Sequence, residues 1–233
     1  MASALPRLID RALRRVRGPH PDGAVSYAQE GEDLVLRRFL EQRRGGFYVD
    51  VGAHHPTRFS NTYFFYEQGW RGINIEPAPG AAAEFARLRP RDINLQVGVA
   101  ETPGALTYYV FDEPALNTFD AALARDREAR TPYRIVGTKS IAVERLDALL
   151  KNNLPPGQAI DFMSIDVEGL DLQVLHSNDW SRYRPDLVLV EALDFRLEQA
   201  AAHPMHVFMR GKGYDLVAKT LNTLFYRNRS NHD

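Results

Sequence analysis

The sequence predicts an α/β domain built on a mostly parallel sheet, with one antiparallel strand and helices on both faces. Three observations predict it. Short apolar runs of the fully buried kind, such as Phe47 to Val51 and Ile160 to Ile165, alternate with segments of helical spacing. Glycine and proline punctuate the joints, at Gly45-Gly46, Gly69 and Pro90. Two β-type runs flank Leu221-Asn222, and a hairpin added to a parallel series brings in one antiparallel strand.

The elements follow in order. Leu5, Leu8, Ile9, Leu13 and Val16 recur at helical spacing among arginines up to Gly18-Pro19, so residues 1–25 read as a basic amphipathic helix and linker. Such a helix packs on a core or a partner, or makes peripheral contact with an anionic membrane surface. The main domain is expected over 26–233. It starts with a helix around 30–42 and a buried strand from Phe47 to Gly52. Ser60 is the expected N-cap of a helix reaching Gln68 and stopped by Gly69, and a second strand covers Ile73 to Glu76. Pro77 and Pro79 open a helix with Ala82, Phe85 and Leu88 on one face, and Ile93 to Val99 supply a third strand. Ala105 to Phe111 and Lys139 to Val143 read as strands around a charged, irregular segment, 112–138, expected to cover the active site. Strands at Ile160 to Asp166 and Asp186 to Glu191, with a helix after the first, lead to the closing hairpin, Tyr214 to Lys219 and Thr223 to Arg227.

Composition removes several function classes. The 233 residues hold 29 basic and 30 acidic side chains, a net charge of −1, which gives no general electrostatic reason to expect a nucleic-acid partner. With no cysteine, thiolate zinc sites, iron–sulfur clusters and a cysteine nucleophile are excluded, so a metal must sit on oxygen or imidazole. No run approaches the ~20 apolar residues of a membrane span, and no secretory apolar region opens the chain; a cytoplasmic protein is expected.

In an open parallel sheet the ligand lies beyond the carboxyl ends of the strands. The acidic residues there are Asp50, Glu76, Asp166 and Glu191. Glu76, at the end of the second strand, is suited to accept hydrogen bonds from both ribose hydroxyls of an adenosine cofactor. After the first strand comes Asp50-Val51-Gly52-Ala53-His54-His55, with one glycine where a dinucleotide fingerprint has three. That turn favours S-adenosylmethionine over a pyrophosphate cofactor.

The segments Ser26 to Asp33, Phe47 to Ala53, Gly69 to Pro77, Ile165 to Gly169 and Gly213 to Val217 together resemble the FkbM family of methyltransferases. The resemblance implies a class I, Rossmann-like methyltransferase fold: a mostly parallel seven-stranded sheet with an antiparallel C-terminal strand. It also implies S-adenosylmethionine as cofactor and O-methylation of a sugar or natural product. At matching positions, Asp50, Gly52 and Ala53 would border the methionine and ribose portion, Glu76 would hold the ribose, and Asp166 would lie beside the transferred methyl. His54-His55-Pro56 departs from the Asn-Ile-Gly type of continuation in that family.

A hydroxyl acceptor needs a base or a cation as its oxygen is methylated. His54 is the expected base, ahead of His55, with Asp166 as the second catalytic residue. Asp166 and Glu191 are the expected ligands if Mg²⁺ takes part, with Glu168 and Asp194 as further donors. The expected function is thus O-methyl transfer to a small-molecule or glycan acceptor, with the oligomeric state left open. A nucleotide-binding oxidoreductase and a non-catalytic S-adenosylmethionine-binding module are the competing readings.

Overall fold

The computed structural model describes residues 23–231. The basic segment expected at 5–17, with its membrane-contact reading, lies outside them. Among the described residues no helix is long and apolar enough to cross a membrane.

The chain opens with helix α1 (Glu32–Leu40), strand β1 (Phe47–Val51), helix α2 (Tyr63–Glu67) and strand β2 (Arg71–Ile75). Helix α3 (Ala81–Leu88) and strand β3 (Ile93–Leu95) follow. Strands β4 (Gly98–Val99) and β5 (Gly104–Phe111), helix α4 (Ala121–Arg130) and strand β6 (Ile135–Glu144) make up the middle. Helix α5 (Leu146–Asn153), strand β7 (Phe162–Ile165), helix α6 (Asp171–His176) and strand β8 (Leu187–Glu191) return to the main layer. Helix α7 (Pro204–Gly211) and the hairpin β9 (Tyr214–Lys219) and β10 (Thr223–Asn228) complete it.

Seven strands form the main sheet in the order β3-β2-β1-β7-β8-β10-β9. All pairs from β3 to β8 are parallel, and β10 runs antiparallel to both neighbours. This is the predicted architecture. Period-two alternation along β1 sends Phe47, Val49 and Val51 into one core layer and Tyr48 into the other. The first layer packs Leu146 and Leu150 of α5 and Met205 and Met209 of α7, while the second packs Leu36 and Leu40 of α1 and Phe65 of α2. Helices therefore cover both faces, and the strand tips are left open to a ligand.

Four local expectations are revised. The run Ile93 to Val99 is two strands: β3 stays in the main sheet, and β4 leaves it to join a three-stranded sheet in the order β4-β6-β5. The segment 112–138 is not irregular, since it holds α4 and the first part of β6. Asp120 caps α4 by accepting from the backbone N–H groups of Ala122 and Leu123. Ser60 accepts from the N–H groups of Thr62 and Tyr63, but Thr62 is the N-cap residue and the helix is only five residues long. Helices α5 and α7 add to the elements expected from sequence.

Beneath β1 to β3 lies a buried polar network centred on Arg89, whose side chain is fully enclosed. Its Nε donates to Asp92 at 2.8 Å, its Nη2 to the Tyr48 hydroxyl at 2.6 Å, and both Nη atoms to Thr62 Oγ1 at 3.0 Å. Thr62 Oγ1 in turn donates to Asp50 at 2.6 Å. One guanidinium thus balances two buried carboxyl groups, which is what makes burying all three tolerable.

Candidate active site

The strand order reverses between β1 and β7, and the cleft lies beyond their tips. In register, Val51 pairs with Ile75 on one side and Ile165 on the other, and Ile165 pairs with Val190. Glu76, Gly52, Asp166 and Glu191 each come one residue later. Four side-by-side strands therefore deliver the residues singled out from sequence to one row. Asp50, Gly52, Ala53, His54, Glu76, Asp166 and Glu191 all line the cleft, which encloses about 1150 Å³ with its open mouth included.

Gly52 has φ +80°, and a Cβ placed on it would lie 1.8 Å from the carbonyl oxygen of Asp166. The tips of β1 and β7 touch at this point, with Asp166 N–H donating to the Val51 carbonyl at 2.9 Å. The glycine is thus required by protein backbone, independently of any cofactor approach. Ala53 is buried beside it, its N–H directed to the Ile75 carbonyl.

Glu76 sits just past β2 and is buried. Its two oxygens accept from the backbone N–H groups of His54 and Ala78, each at 2.8 Å. These bonds fix the carboxyl plane and leave further lone pairs for a ligand. Burial outweighs them and pushes the group up to about 7. Asp50 is also raised by burial, with the Thr62 hydroxyl and the Arg89 guanidinium acting against the shift.

His54 takes a left-handed backbone, φ +52°, and its Nε2 is shielded from solvent without a hydrogen-bond partner. Burial first, then the charge of Arg58, lowers it to about 4, so the ring is neutral at neutral pH. His55 is used locally: its Nδ1 accepts from the N–H groups of Thr57 and Arg58, and it does not line the cleft. His54, Phe59 and Glu168 are the non-glycine residues with positive φ among the described residues, and all three line the cleft. Sparsely populated backbone of this kind is held where a site needs it.

Asp166, Glu168 and Glu191 converge, whereas Asp194 is exposed and pairs with His203 at 3.1 Å. In the segment from Ser26 to Asp33, Gln29 lines the cleft and Tyr27 does not, its hydroxyl donating to Glu67. Asn61 lines the cleft and donates to Ser164 Oγ at 3.0 Å.

Other lining residues are not among the site residues expected from sequence. Pro114, Ala115, Asn117 and Phe119 come from the cover, Tyr108 from β5, and Asn222 and Thr223 from the hairpin. The four cover residues fall in the segment expected to lie over the site, and the last two carry a signal of their own, a hairpin turn next to a strand-end acid. The cover is tied down at three points: Arg58 forms two 3.0 Å bonds to Glu113, Arg127 pairs with Glu168, and Thr118 Oγ1 donates to the Glu168 carbonyl.

Seven carboxyl groups line the cleft, and no lysine or arginine does. Such a wall offers a phosphate no counter-charge, and those of its carboxyls that are ionised attract a cation. Ile75, Pro77, Val97, Val99 and Phe119 add an apolar side next to Glu76. The residues fit S-adenosylmethionine: an apolar slot for a base, a carboxylate for a ribose diol, and a field favourable to a sulfonium.

No curated protein matches the sequence. Among solved structures, the chain is similar to a TehB-like S-adenosylmethionine-dependent methyltransferase from Corynebacterium glutamicum, at 10% identity and a TM-score of 0.43, covering 96% of this chain and 99% of that one. It is also similar to YjhP from E. coli, at 12% identity and a TM-score of 0.35, over 85% of this chain and 70% of that one. The family model of the methyltransferase FkbM domain matches residues 50–216, which include every strand-end residue of the cleft named above. The chain belongs to the FkbM methyltransferase family.

Proposed function

We propose that this S-adenosylmethionine-dependent methyltransferase acts on a hydroxyl of a saccharide or glycosylated metabolite. The observation that carries the reading is the acidic, cation-free cleft at the strand tips. It disfavours the dinucleotide of an oxidoreductase, whose pyrophosphate needs donors and positive charge. Carboxylates, with the amides of Gln29, Asn117 and Asn222, suit a hydroxyl-rich acceptor, because sugar hydroxyls both donate and accept.

S-adenosylmethionine supplies an electrophilic methyl on sulfur, so the chain has only to align the acceptor oxygen and take its proton. As the new C–O bond forms the hydroxyl becomes oxonium-like and strongly acidic, and even a weak base then accepts its proton. His54, neutral and with an unpartnered Nε2, serves as that base. Asp166 orients the hydroxyl. His54→Ala is expected to lower turnover about a hundredfold with S-adenosylhomocysteine affinity unchanged. An equal loss of affinity would make His54 part of the cofactor wall instead.

Glu76 predicts a pH dependence. Only its ionised form accepts from both ribose hydroxyls, and with a value of about 7 the ionised fraction rises roughly tenfold between pH 6 and 8. S-adenosylhomocysteine affinity should rise by that factor. Glu76→Gln should flatten the profile and cost ~1.5–3 kcal/mol at pH 8. In the ligand-free protein the sign is opposite: a raised carboxyl stabilises the fold below its ordinary value of 4.5 and loses that contribution as pH passes about 7. Asp171 is also raised to about 7, so a profile unchanged in Glu76→Gln would move the effect to that residue.

The direct test of function is transfer of labelled methyl to a glycan panel. Label in a hydroxyl-linked methyl ether supports the reading. Binding of the cofactor with no transfer to any hydroxyl acceptor would leave a binding module.

A further inference from the structure

Asp166, Glu168 and Glu191, at the tips of β7 and β8, each place a carboxylate oxygen within 4.8 Å of the other two. Two of the three groups are incompletely satisfied. Asp166 Oδ1 and Glu191 Oε2 are shut off from solvent and have no hydrogen-bond partner. Asp166 and Glu191 keep some surface on the cleft wall, and it is these two oxygens that are enclosed. Glu168 differs, being paired with Arg127. Enclosed carboxylate oxygens without a donor are rare, since each forfeits its hydration for nothing. The surroundings add to the cost: Asp50, Glu30 and Asp171 are further acids near this corner.

A single cation lying between them would satisfy both oxygens at once, and the donor set suits an ion that binds oxygen only. Hard carboxylate oxygens without sulfur or a coordinating imidazole select Mg²⁺ or Mn²⁺. We propose that Asp166, Glu168 and Glu191 form a binding site for one hard divalent cation at the acceptor end of the cleft. Asp166 Oδ1 and Glu191 Oε2 are the free donors, and Arg127 competes with the ion for Glu168. The use of such an ion in catalysis rests on the methyl-transfer reading; its binding does not.

Mn²⁺ is the probe, added to the full chain after chelator treatment and followed by the loss of the free-ion paramagnetic resonance signal. One saturable site per chain is expected. Glu191→Gln should weaken it by roughly tenfold or more, as removal of a charged ligand does. Arg127→Gln, which releases Glu168, should tighten it several-fold, and this variant decides the matter if Glu191→Gln melts early. No saturable site, equal affinity in Glu191→Gln, or no tightening in Arg127→Gln would each overturn the proposal. Calorimetry with S-adenosylhomocysteine on the same preparation separates the two readings. Cofactor binding without a Mn²⁺ site overturns the cation alone, and a Mn²⁺ site without cofactor binding overturns the methyl-transfer reading alone.

Discussion

Gly52→Ala is expected to abolish S-adenosylhomocysteine binding and to destabilise the fold by more than about 4 kcal/mol. Two independent penalties add. The left-handed φ of +80° costs an L-residue roughly 1–2 kcal/mol. The greater penalty is steric, because the new Cβ would sit 1.8 Å from the Asp166 carbonyl oxygen, and that oxygen belongs to backbone held in register by Asp166 N–H on the Val51 carbonyl. No rotamer relieves such a contact. The tips of β1 and β7 must part, and Asp166 moves with them. Denaturant melts and cofactor titration of the variant read both effects. Wild-type stability together with wild-type affinity would show that the two strand tips are not in contact.

Arg89→Ala is expected to cost about 3–5 kcal/mol, and to lower the melting temperature by roughly 10 °C. The loss comes from the carboxyl groups left behind more than from the bonds removed. Asp92 loses its 2.8 Å partner inside the protein, and Thr62, which carries the Arg89 charge to Asp50, loses two donors. Arg89→Lys should recover part of the loss, since one ammonium cannot reach Asp92, Tyr48 and Thr62 at once. Because Asp50 lies on the cleft wall, cofactor affinity should fall with stability. An alanine variant that melts with the wild type would mean that these carboxyl groups are neutral in the fold and need no counter-charge.

The main sheet is legible from sequence because its central strands are buried on both faces. Phe47 to Val51 and Leu187 to Val190 are continuous buried runs, too short for a typical helix and rich in β-branched or aromatic residues. The strand-end acids follow from the topology alone, since parallel strands put their carboxyl ends together. The second sheet is not legible. Ile93, Leu95, Val97 and Val99 alternate without interruption, so nothing local marks where the chain leaves β2 and crosses to pair with Val143 and Glu144. Helix α4 is hidden for a related reason: Ala124 is its only buried residue, leaving almost no apolar stripe to read. The contributions of Tyr108, Asn117 and Phe119 to the cleft depend on those long-range pairings and inherit the same obscurity. His54 stands out by proximity to Gly52, but its loss of basicity comes chiefly from burial, which only the folded arrangement creates, and then from the charge of Arg58 four residues on.

A crystal structure with S-adenosylhomocysteine bound tests the central claim most directly. The ligand should lie across the tips of β1, β2 and β7, with both ribose hydroxyls on Glu76 and the amino-acid tail against Gly52 and Ala53. A ligand seated away from those tips, or one whose ribose leaves Glu76 untouched, would contradict the account.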